Sequence, residues 1–181
     1  MSSGDWISSS VPYVAPRKNA QGDAWQEEAA ARGGVGSQRV IRAGEVPAPP
    51  GVAELLMVEE GTAVVVRQRV IYLDDQPVEL TDTYYPAEVA RGTRLEETRK
   101  IRGGAVTLLA ELGYFAHRVR EEVSARMPTD PEQRVLGLGD AEPVLCMTRL
   151  TMDADGRRFQ VDESVFPATG QRLRYELEPR S

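Results

Sequence analysis

PAPPGVAELLMVEEGTAVVVRQRVIYLDDQPVELTDTYYP at residues 47–86 and PTDPEQRVLGLGDAEPVLCMTRLTMDADGRRFQVDESVFP at residues 128–167 are two versions of one pattern. Each opens with a proline suited to a first helical turn, Pro50 and Pro131, where the missing N–H costs nothing. Leu55 and Leu136 follow at the same offset. An acidic, glycine-bearing turn then leads into a β-branched run carrying Arg69 or Arg149 near its end. Asp74-Asp75 in one copy, and Asp155-Gly156 in the other, reverse the chain. A second strand closes on Tyr85-Pro86 or Phe166-Pro167, and Thr81-Asp82-Thr83 aligns with Asp162-Glu163-Ser164. The unit is a helix followed by a hairpin, used twice. Equal patterns bury equal faces, so Val64, Val66, Val144 and Cys146 are expected inside. The two hairpins are expected to pair into one sheet about an approximate two-fold axis.

The flanking sequence completes the layout. GAVTLLAEL at about 104–112 reads as a helix closed by Gly113. The alternating segments 37–46, 114–126 and 171–178 read as strands, the last with Leu173, Tyr175 and Leu177 on one face. The fold class is α+β: an antiparallel sheet of six or seven strands, short helices on one face, and an internally duplicated helix–hairpin unit. Residues 1–36 are rich in Ser, Gly, Pro and Ala and read as a flexible arm or linker with one short helix at about 23–32. Residues 37–181 form the folded domain. Trp6, Tyr13 and Trp25 in the arm imply that it docks on its own domain or on a partner.

Composition narrows the function. Of 181 residues, 41% are hydrophobic and 28% charged, ordinary globular usage. There is no apolar run of about 20 residues for a membrane helix, and no signal-peptide pattern at the start. A cytoplasmic protein without membrane association is expected. The net charge of −6 argues against direct nucleic-acid binding by this chain, since phosphate neutralisation supplies most of that affinity. Cys146 is the single cysteine, so no internal disulfide forms, and its apolar surroundings suggest a small buried hydrophobe.

Catalytic and metal-binding constellations are missing from the pattern. One histidine, His117, and one cysteine do not make a metal site, and the glycine pairs match no nucleotide-binding spacing. No catalytic residue, metal or cofactor is therefore expected. Arginines are more informative. In VVVRQRV, Arg67 and Arg69 share a strand face about 7 Å apart, a fork suited to phosphate or carboxylate. The plain alternative is a solvated face with Arg69 paired to Asp82 or Glu79. At RKIRGGAVTLL, Gly103, Gly104 and Ala105 begin a helix, where free N–H groups and the helix dipole favour an anion. The alternative there is an ordinary loop-to-helix junction.

From VPYVAPRK through RQRVIYLDDQPVELTDTYYP and GGAVTLLAELGY to DADGRRFQVDESVFP, the order of elements resembles the UTRA domain, the effector-binding module of HutC-type GntR-family transcription regulators. The resemblance spans about residues 11–178. It implies a chorismate-lyase-like fold and a pocket for small, often anionic effectors. It further implies ligand contacts from Arg67 and Arg69 on the strand, from Thr81 and Thr83 on the facing strand, from Gly103, Gly104 and Ala105 at the helix start, and from Tyr175 at the last edge. The sequence departs from the family at Thr81, where glutamate is common, at the glycines, where serine is common, and at FPATGQRLRY. These departures weaken the case for a sugar phosphate. The winged-helix DNA-binding domain of the full regulators has no counterpart in MSSGDWISSS or in the residues after it.

The resemblance thus points to an effector sensor rather than an enzyme. It implies a homodimer, and heterodimers with intact regulators would form through the same surface. An enzyme with this fold would need an acid or base aimed into the pocket, for which Glu79 and Glu163 are the candidates. A dimerisation-only module is the third reading.

Overall fold

The structure, a computed structural model of the chain, describes residues 6–8, 11–16 and 24–175. In chain order the elements are β1 (Trp6–Ser8), α1 (Ala24–Ala31), β2 (Gly36–Pro47), α2 (Pro50–Leu56), β3 (Ala63–Leu73), β4 (Gln76–Pro86), α3 (Ala87–Ala90), α4 (Gly104–Glu111), β5 (Arg118–Arg126), α5 (Asp130–Leu136), β6 (Val144–Met152), β7 (Arg158–Pro167) and β8 (Gln171–Leu173). Short 3-10 turns occupy Val11–Tyr13 and Arg94–Glu96.

Each hairpin forms where the pattern places it. Asp74 and Asp75 both take positive φ, 48° and 65°, the type I′ geometry that matches strand twist. β3 and β4 pair from Val64↔Pro86 to Leu73↔Gln76, and β6 and β7 pair from Val144↔Pro167 to Met152↔Arg158. The six-stranded sheet runs β2-β3-β4-β7-β6-β5, antiparallel at every step. Its central ladder pairs Thr81↔Ser164, Asp82↔Glu163 and Thr83↔Asp162. The repeat offset carries Thr81 to Asp162, Asp82 to Glu163 and Thr83 to Ser164, so this register maps onto itself. An approximate two-fold axis therefore passes between Asp82 and Glu163.

Strand alternation divides the sheet into two faces. On one, Val64, Val66, Leu150 and Val161 pack under Val52, Ala53 and Leu56 of α2. α5 lies over the same face, against β4. Burying each such side chain contributes about 1.5–3 kcal/mol. The segment linking the two copies, residues 87–117, instead covers the opposite face. There Val65 and Tyr85 pack with Val89, Leu95, Ile101, Leu108 and Leu109. Helices thus occupy both faces, the repeat helices on one and the connection on the other.

Three local expectations change. Leu56 rather than Leu55 corresponds to Leu136, because both precede a left-handed cap residue, Met57 (φ 59°) and Gly137 (φ 67°), and both are buried. Val64, Val66 and Val144 are buried as the pattern requires, but Cys146 is half-buried and lines a groove beside Pro131 and Val135. The last strand does not join the main sheet. Only Gln171–Leu173 is extended, parallel to Trp6–Ser8 in a separate pair, and the expected continuation to residue 178 runs past the described residues. No helix among the described residues is long and apolar enough to cross a membrane.

Met57 is 75% exposed and holds a conformation that costs a non-glycine residue about 1–2 kcal/mol. Met57→Gly should stabilise the fold by about 0.5–1 kcal/mol once the extra unfolded-chain entropy of glycine is included. A urea titration showing an unchanged or lower midpoint would contradict this account of the cap.

Candidate functional site

The face opposite α2 and α5 carries the polar positions of both copies. Going across the sheet, Arg67, Thr83, Asp162 and Arg149 lie in one row, and Arg69, Thr81, Ser164 and Met147 in the next. The two-fold relates Arg69 to Arg149, Thr83 to Ser164, and Glu79 to Gln160. Above this surface lies a compact cavity of about 160 Å³. Its floor includes Arg69, Thr81, Thr83, Asp162 and Arg149, and its roof includes Gly103–Val106, Tyr13 and Trp25.

The hydrogen bonds form a connected network. Arg69 Nη2 donates to Thr83 Oγ1 (2.9 Å), and Thr83 Oγ1 donates to Asp162 Oδ1 (2.7 Å). Gln160 Nε2 fills the other Asp162 oxygen at 2.7 Å. Arg149 Nε donates to Glu121 of the outer strand β5 at 2.6 Å, an ion pair almost excluded from water. Arg69 differs. It reaches Gln38 Oε1 at 3.4 Å, its Nε is buried without a partner, and among the described residues no carboxylate lies within ion-pair distance. The paired-acid alternative fails because Asp82 points to the other face, where Gln68 Nε2 donates to it at 2.7 Å.

Glu79 completes the wall. Thr81 Oγ1 donates to its carboxylate and shares a 3.0 Å hydrogen bond with Ser164. Burial raises the Glu79 pKa above the usual carboxylate range, against the pull of those hydroxyls and of Arg69 and Arg149.

The helix start forms as the glycines suggest. Gly103 is the N-cap of α4 in the left-handed region (φ 79°) and no side chain caps the helix there. A Cβ at Gly103 would come within 3.2 Å of Thr107, whose hydroxyl donates to the Gly103 carbonyl at 2.7 Å. Arg69, Thr81, Thr83, Gly103, Gly104 and Ala105 therefore border one cavity.

Arg67 and Tyr175 do not border it, although Arg67 lines an adjoining groove together with Arg69, Gly104 and Ala105. Arg67 is 4% exposed, and its guanidinium is spent on backbone carbonyls: Nη1 donates to Arg94 (3.2 Å), Leu95 (3.0 Å) and Glu97, and Nη2 to Arg99 (3.3 Å). It pins the segment that leads into α4. The spacing put both arginines on one face correctly, but the loop that uses the first one comes from 27 or more residues downstream. Tyr175 is half-exposed beyond β8. Glu163 faces the opposite side, across from Asp82, and His117 is exposed just ahead of β5.

Arg149, Tyr13 and Trp25 are among the cavity residues that the sequence does not mark as ligand contacts. Arg149 was visible as the repeat partner of Arg69. Tyr13 and Trp25 were noted only as aromatics of the arm. Trp25 Nε1 donates to the Tyr72 carbonyl at 2.8 Å and so ties α1 to β3, while the Tyr13 hydroxyl donates to Glu28 of α1 and the ring lines the cavity. Among the described residues no group of three or more His, Cys, Asp or Glu side chains is arranged for a metal ion.

Arg67→Ala would leave four backbone carbonyls without the guanidinium donor they share. It should cost about 2–4 kcal/mol by urea unfolding, with faster amide exchange concentrated in residues 91–103. A neutral result would remove the anchoring role.

Comparison with known proteins agrees with this architecture. Residues 31–171 match the family model described as the UTRA domain. An HTH-type transcriptional regulator of Streptomyces coelicolor is 33% identical over 114 residues, 61% of this chain and 42% of the relative. The HTH-type transcriptional regulator GgaR of Escherichia coli is 26% identical over 135 residues, covering 68% of this chain and 52% of that protein. The chain thus spans about half the length of the curated relatives it matches. The effector domain of PhnF from Mycobacterium smegmatis superposes with a TM-score of 0.73 at 21% identity, covering 91% of this chain and 99% of that one. A GntR-family regulator from Bacillus cereus gives 0.60 at 19% identity, covering 81% and 98%. With the duplicated sheet, the covered cavity and a family match over most of its length, the chain belongs to the UTRA domain family, the effector domains of GntR-type transcription regulators.

Proposed function

We propose that this domain senses a small metabolite carrying an anionic group, bound between Arg69 and the N-terminus of α4, and that it does so without turnover. One observation carries the reading: among the described residues Arg69 is a cation without an acid partner, with its Nε buried, in the wall of a cavity roofed by a helix start with no side-chain cap. An unpaired buried donor on a charged group costs about 1–3 kcal/mol, which an incoming anion recovers. Thr81 and Thr83 supply hydroxyls beside it, and Gly103–Ala105 let the ligand approach the backbone. Binding of such a metabolite adjusts the activity of a transcription regulator, in this chain or in a partner. The domain acts as a homodimer, the commonest symmetric form for soluble oligomers.

A thermal-shift screen of carboxylate and phosphate metabolites should raise the melting temperature, with the ligand recovered unchanged. Arg69→Ala should weaken the best of them about tenfold or more, since a charge-assisted hydrogen bond is worth about 1.5–3 kcal/mol. Full affinity in Arg69→Ala would refute the anion site. Sedimentation at micromolar concentration should give a species of twice 19.9 kDa; a monomer alone would refute the dimer.

A further inference from the structure

The charges around the cavity are unequally used. Arg149 is matched by Glu121, and both oxygens of Asp162 are taken by Thr83 and Gln160. Two opposite charges remain. Arg69 has no acid partner, and Glu79 has only hydroxyl partners, with no Arg or Lys within ion-pair distance among the described residues. They do not pair with each other, because each is held by a different hydroxyl of β4: Arg69 reaches across the ladder to Thr83, and Glu79 turns back along its own strand onto Thr81. In the β3–β4 ladder Arg69 stands opposite Thr81 and Ile71 opposite Glu79. Arg69 and Glu79 are therefore diagonal neighbours on one face, with Cβ atoms about 7 Å apart.

A lone anion would satisfy Arg69 but would further disfavour the ionised form of its diagonal neighbour Glu79, which burial already disfavours. A ligand bearing a cation as well removes that penalty and gives Glu79 the counter-charge the protein withholds.

Resting on the anion site proposed for Arg69, we propose that the effector is an ampholyte: a compact molecule whose anionic group meets Arg69 and whose ammonium or amidinium group meets Glu79. Glu79 is then the residue that selects amino-bearing ligands over their deaminated analogues. Its two-fold mate is Gln160, so the selecting charge exists on one side of the cavity only.

The probes are 4-aminobutanoate and 5-aminopentanoate, with butanoate, pentanoate, butylamine and pentylamine as single-charge analogues, titrated by calorimetry and by chemical-shift perturbation. In the parent protein at least one amino acid should bind tenfold or more tighter than its acid and its amine. Glu79→Gln should abolish that preference and tighten binding of the plain acid, because the repulsion is gone. Arg69→Ala should weaken the acids and the amino acids alike. Glu79→Gln should melt no lower than the parent, since it removes an unpaired carboxylate from the wall; Glu79→Ala serves as the second variant should the glutamine protein fail to fold. Equal binding of acids and amino acids by the parent, or a preference that survives both Glu79 variants, overturns the ampholyte while leaving the anion site standing. Acids that do not bind at all, or that bind Arg69→Ala as well as the parent, overturn the anion reading itself.

Discussion

The ladder between β4 and β7 joins two copies of one helix–hairpin unit, and the rest of the molecule is arranged around its register. Because the pair Asp82 and Glu163 lies on the axis, every second residue on either side comes to the same face in both copies. Arg69 and Arg149 are brought across from one another by that register, as are Thr83 and Ser164. A slip of one residue would turn one copy over relative to the other, sending Ser164 and Arg149 to the side of α2 and α5 and bringing Val165 towards the cavity. The apolar contacts of Val64, Val66, Leu150 and Val161 under α2 hold the register, since a slip would expose them.

A symmetric cradle becomes an asymmetric cavity because the connection between the copies occurs once. Residues 87–117 fall over the polar face, and Arg67 ties their first part down through carbonyls at four positions. The buried guanidinium supplies donors to carbonyls in a 3-10 turn and just beyond it, and so holds this loop against the sheet. α4 then starts beside Arg69, while the side of Arg149 is closed by Glu121 from β5. The same pair of arginines thus ends in two electrostatic states: Arg149 is paired with Glu121, while Arg69 has no acid partner among the described residues. In a wall shielded from water this difference is worth far more than it would be on an open surface.

The duplicated unit, its hairpin turns and the burial of alternate valines were legible from residues 47–86 and 128–167, because hydrophobic period and turn chemistry are local properties. The shared face of Arg67 and Arg69 was legible for the same reason, and Gly103 announced a helix start in a conformation other residues resist. The sequence by itself thus determined the two-fold sheet and the family to which the chain belongs. Tertiary structure alone decided which arginine lacks an acid partner among the described residues. Arg67 is consumed by carbonyls from a loop far along the chain, Arg149 by a glutamate on an outer strand, and Asp162 by Thr83 and Gln160. The helix alignment at Leu56, the half-exposed Cys146 and the separate β1–β8 pair were decided there too. Periodicity tells which way a side chain points; what it meets depends on segments distant in sequence, and charge pairing is settled only when those segments are packed together.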